Sequence, residues 1–77
     1  MAIYTSIREF YRYGNESDYV DCTFKEWNSL EKAIAYAHRY TKGVRFAGVR
    51  IEDESGNPIY EITSDQKVFD YRNNISK

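Results

Sequence analysis

The sequence predicts an α+β two-layer sandwich: an antiparallel sheet of four or five strands in β-β-α-β-β order, with one helix on one face. Three observations carry that expectation. A single segment in the middle of the chain, from Asn28 to Gly43, has helical periodicity. Strand-like stretches rich in Tyr, Ile, Val and Thr flank it on both sides, and Gly/Asn/Pro clusters punctuate them. At 77 residues the chain holds one domain, 1–77.

Ile3 to Arg12 is the first expected strand. Ile3, Thr5, Ile7 and Tyr11 occupy one face, and Tyr4, Arg8, Phe10 and Arg12 the other. Both faces are amphipathic, so a one-residue change of register exchanges them. Tyr13 to Asp18 supplies the turn, with Gly14 and Asn15 tolerating positive φ. Tyr19 to Phe24 then alternates, which places Val20, Cys22 and Phe24 inward and completes a hairpin.

The helix is expected to start at Asn28, with Glu31 answering it in a capping-box pattern. Leu30, Ala33, Ile34, Ala37 and Thr41 form one narrow apolar stripe, and its two alanines allow close approach to a sheet. Lys42 suits the last turn and Gly43 a left-handed stop. Val44 to Glu52 runs extended, with Val49, Ile51 and Ala47 toward the helix and Arg45, Arg50 and Glu52 outward. Gly56, Asn57 and Pro58 make a strong turn into Ile59 to Thr63, and "SDQK" turns into Val68 to Tyr71 before a polar tail.

Composition narrows the class. Eleven basic and 12 acidic residues leave a net charge of −1, so no long-range field favours nucleic acid or an anionic membrane. A single cysteine, Cys22, excludes an intramolecular disulfide and suits a reducing cytoplasm. No stretch has the apolar length of a signal peptide or membrane span. Aromatic residues reach 17%, eight of them Tyr, whose apolar body and polar tip suit half-buried sheet faces and binding surfaces.

No catalytic constellation assembles from these residues, and the expectation is a non-enzyme without cofactor or metal. His38, on the helix shoulder, has no serine or cysteine placed by sequence as a partner, and Cys22 is expected to be a buried, inert thiol. Glu52, Asp53 and Glu54 lack the ligand spacing of a calcium loop, and a solvated turn accounts for them. Gly43 and Gly48 do not form a phosphate-cradling loop.

Two surfaces are candidate contact sites. One is the sheet face that bears Tyr4, Arg8, Phe10 and Arg12, neighboured by Arg45 and Arg50. Arginine among aromatics anchors protein interfaces, stacks nucleic-acid bases, or simply snorkels on a solvated face. The other is Tyr36 and Tyr40, one helical turn apart, which either pack over the sheet edge beside Trp27 or meet a partner.

From Ser29 to Tyr71 the chain resembles the C-terminal half of a type I-F anti-CRISPR group. The matching positions are Ser29, Leu30, Ala33 and Ala37 on the helix, Arg50-Ile51-Glu52, the Gly56-Asn57 turn, Tyr60, Asp65 and Lys67. The layout is also similar to small podophage inhibitors of host RNA polymerase. The resemblance implies a phage or mobile-element protein that occludes a surface of a host machine, such as a crRNA-carrying surveillance complex. It adds Arg50 and Lys67 as contact candidates. A small nucleic-acid-binding or regulatory module is the alternative expectation, and a homodimer that buries the open sheet face is a third.

Overall fold

The computed structural model describes residues 2–13, 19–39, 41 and 45–72. The expected turn at Gly14 and Asn15, together with Tyr40, Lys42, Gly43, Val44 and the polar tail, lies outside the described residues. Five strands and one helix follow in the order β1 (Tyr4–Tyr11), β2 (Val20–Trp27), α1 (Leu30–Ala37), β3 (Phe46–Glu52), β4 (Pro58–Thr63) and β5 (Val68–Asp70). The sheet is antiparallel throughout, ordered β2-β1-β3-β4-β5, with α1 on one face. This is the α+β layout expected from the sequence.

The helix is shorter than its apolar stripe suggests. Ser29, not Asn28, is the N-cap, and its hydroxyl accepts a hydrogen bond from the Lys32 amide. The third helical position is therefore Lys32, so no capping box closes. Glu31 instead sits in the first turn, where a carboxylate favours the helix dipole. At the other end His38 is the C-cap, so Thr41 lies beyond the helix, and the Arg39 amide turns back to the Tyr36 carbonyl three residues away. The stripe's two alanines are fully buried and bring the helix down onto Phe46, Val49, Ile51, Tyr60 and Ile62. Tyr4, Trp27, Leu30 and Ile34 pack around that core.

Cross-strand pairing fixes which face each residue shares, because directly opposed residues point the same way. Ser6 opposes Ile51 and Arg8 opposes Val49, so Tyr4, Ser6 and Arg8 lie under the helix. This overturns the expected faces of the N-terminal hairpin. Arg8 is buried at 8% exposure, whereas Cys22, Phe24 and Val20 face away from the helix and are exposed. The physical reason lies in the polar partners on the helix side: Ser6 Oγ accepts from Trp27 Nε1, and the Arg8 guanidinium finds the Tyr36 and Arg39 carbonyls at the helix end.

A bulge gives the second correction. Glu9 opposes Gly48, but the next pair is Phe10 with Phe46, so Ala47 is an extra residue on β3. The bulge turns Phe46 into the core, where Ala47 was expected. Gly48 adopts φ +148°, and a β-carbon there would lie 3.4 Å from the Ile62 carbonyl oxygen of β4.

Candidate functional site

Arg8 links sheet to helix. Its guanidinium donates to the Tyr36 and Arg39 carbonyls, both at 2.6 Å, and lies 4.7 Å from the centre of the Tyr36 ring. A fixed cation at these carbonyls supplies the helix end with both hydrogen bonds and charge. Arg8 is therefore a structural clamp and not part of an exposed arginine face.

The remaining expected contact residues separate into different places. Tyr4 packs against the core and Phe10 is half-buried on the helix side. Arg12 pairs with Asp21 at 2.8 Å, and its hydrogen bond holds that carboxyl below the usual range. Arg45 donates to the Tyr11 and Arg12 carbonyls and lies over the Phe10 ring. Lys67 sits at the β4–β5 turn beside Asp65. Tyr36 is half-buried on the helix flank, and Tyr40 lies outside the described residues.

Among the described residues of that set, only Arg50 is on the sheet face the helix leaves uncovered. Pairing runs across this face from Phe24 to Ile7, Arg50, Glu61 and Phe69, one residue from each strand. The two ends of the row are apolar and open, with Phe24 69% and Phe69 44% exposed. Four strand spacings of about 4.8 Å separate them by roughly 19 Å. Arg50 in the centre bonds Glu52 at 2.7 Å, which raises its pKa, and lies 4.0 Å from Glu9; Glu61 stands opposite it. Three carboxylates around one guanidinium leave the middle of the face acidic.

The chemistry-bearing singletons stay apart. His38 Nε2 lies 2.7 Å from the Tyr60 hydroxyl on the helix side, where burial raises the tyrosine's pKa. Cys22 lies on the opposite face, 3.9 Å from a Glu9 carboxylate oxygen. Among the described residues, no group of three His, Cys, Asp or Glu side chains is placed to hold a metal, and no helix is long and apolar enough to cross a membrane.

The second expected surface takes shape around Tyr36, which packs beside Trp27; what sequence reasoning missed is the cleft they form between β2 and α1 and the cations that line it. Lys25 and Trp27 line it from the strand, Lys32, Ala35 and Tyr36 from the helix, and Arg39 from just past the helix end. The signal for it was legible in retrospect: Lys32, Ala35, Tyr36 and Arg39 follow i, i+3, i+4, i+7 spacing, one face of a helix. Comparison with family models, characterised protein sequences and solved structures finds no match to this chain.

Proposed function

We propose that this chain is a non-enzymatic binding protein that acts by occlusion, laying its uncovered sheet face against a protein surface of a larger assembly. The observation that carries this reading is the row from Phe24 to Phe69: two exposed aromatic anchors with an acidic, ion-paired centre between them. Aromatic anchors supply most of the binding energy in protein interfaces, and charged centres set partner choice. The partner surface that fits has two apolar pockets flanking a basic patch. The separation of His38 from Cys22 supports binding over nucleophilic catalysis.

The resemblance to type I-F anti-CRISPR proteins supplies the class of assembly: a crRNA-carrying surveillance complex in the cytoplasm of a phage's host. The test is co-migration of the purified protein with a purified, nuclease-treated type I-F complex, together with loss of target DNA binding by that complex. Phe24→Asp and Phe69→Asp should each weaken the interaction about 30-fold, the effect of losing an anchor of about 2 kcal/mol. Unchanged affinity in both variants would refute this face as the interface. A dimeric mass by light scattering, abolished by Phe24→Asp, would instead assign the face to a second copy of the chain.

A further inference from the structure

The cleft between β2 and α1 has a different chemistry from the sheet face. Trp27 and Tyr36 form its shelf, with ring centroids 5.1 Å apart and planes at 45°. The indole is anchored from behind, because its Nε1 donates to Ser6 Oγ at 2.9 Å. On the open side Lys25 Nζ hovers 4.6 Å from the Trp27 ring centre and 5.3 Å from that of Tyr36. Lys32 and Arg39 stand one turn to either side of the tyrosine, and both are exposed. Ala35 between them is small, which leaves the helix side of the groove open over a volume of about 370 Å³. A second cavity of about 450 Å³ shares Lys25, Trp27 and Lys32 and extends the groove toward Ile3 and Asn28; Glu26 is the one carboxylate that lines it.

We infer that this groove binds single-stranded nucleic acid, with a base stacked on Trp27 or Tyr36 and the backbone phosphates held by Lys25, Lys32 and Arg39. Two features select this ligand. Cations alone would accept any anion, but here the cation covers aromatic faces that a base can take over, releasing Lys25 to a phosphate. The groove is also an open channel along the helix and not a closed pocket, so it suits a polymer passing through and not a free nucleotide. A duplex hides its bases within the stack and offers the shelf nothing. The site is on the opposite layer from Phe24 and Phe69, so its fate is independent of the protein-occluding reading.

Trp27 is the only tryptophan, so its fluorescence reports the shelf directly. Titration with a short oligothymidylate or oligouridylate should quench it saturably, with a Kd within about 1–100 μM, the range of non-specific binding. Three phosphate contacts predict a log–log salt slope of about −2, so affinity should fall about 15-fold between 50 and 200 mM salt. Lys32→Gln, at an exposed helix position, and Arg39→Gln, exposed just past the helix end, should each flatten the slope by about 0.7. Thymidine monophosphate, duplex DNA and polyglutamate should compete poorly. Absence of saturable quenching up to about 1 mM strand would overturn the inference. So would equal competition by polyglutamate, which would make the groove a general anion site, or equal binding of the mononucleotide.

Discussion

Replacing Arg8 with methionine keeps the aliphatic stem and removes the guanidinium that clamps the helix to the sheet. The variant loses two charged hydrogen bonds, each worth about 1.5–3 kcal/mol, and a cation–π contact with Tyr36. Relief of the arginine's own burial offsets part of that, leaving an expected destabilisation of about 2–4 kcal/mol. A chain of this length is stable by about 4–12 kcal/mol, so the loss is a large share of the total. Urea unfolding followed by far-UV circular dichroism should show a lower midpoint with an unchanged slope. The melting temperature should drop by about 10–25 °C. Arg8→Lys, whose single ammonium cannot span both carbonyls, should recover about half of the loss. Arg8→Met within about 0.5 kcal/mol of wild type would refute the clamp, because a solvated surface arginine behaves that way.

Three further outcomes follow from the same packing. Ala33→Leu forces a large side chain between the helix and Ile51, and should cost about 1–3 kcal/mol in chemical unfolding. Gly48→Ala must hold φ +148° with its new methyl 3.4 Å from the Ile62 carbonyl, and should destabilise by about 1–3 kcal/mol in the same assay. Asp70, hydrogen-bonded to Arg72, should titrate at about 2 instead of 3.8 in a carboxyl NMR experiment. Its folded-state pKa is depressed, so the stability it contributes is present above pH 4 and fades as pH falls from about 4 toward 2. Asp70→Asn should remove that part of the acid sensitivity.

The architecture was legible because each level of the sequence agreed: one helical stripe, alternating strands, and turn residues between them. The faces of the first hairpin were not. Tyr4, Ser6, Arg8 and Phe10 alternate as well as Thr5, Ile7, Glu9 and Tyr11 do, and nothing local to the strand chooses between them. The choice comes from residues far along the chain: Ile51 and Val49 oppose Ser6 and Arg8, and the end of α1 supplies carbonyls for the guanidinium. An arginine in an alternating strand suggests solvent on polarity alone, whereas here the low-dielectric side is where its donors are needed. The bulge at Ala47 was equally hidden, since periodicity carries no mark of an inserted residue. Arg50 was placed correctly because β3 has a single clearly apolar face.

Cys22 offers the most direct test of the central claim, that the face bearing Phe24 is open and available to a partner. As the only thiol in the chain, it lies on that face, exposed, in the strand position two residues from Phe24. The measurement is stoichiometric labelling of the native protein with a thiol reagent, with and without the surveillance complex. The account predicts full reaction of the free protein under native conditions and protection in the complex. A thiol that reacts only after unfolding would contradict it, returning Cys22 and Phe24 to the interior and the strand face bearing Tyr4 and Arg8 to the surface.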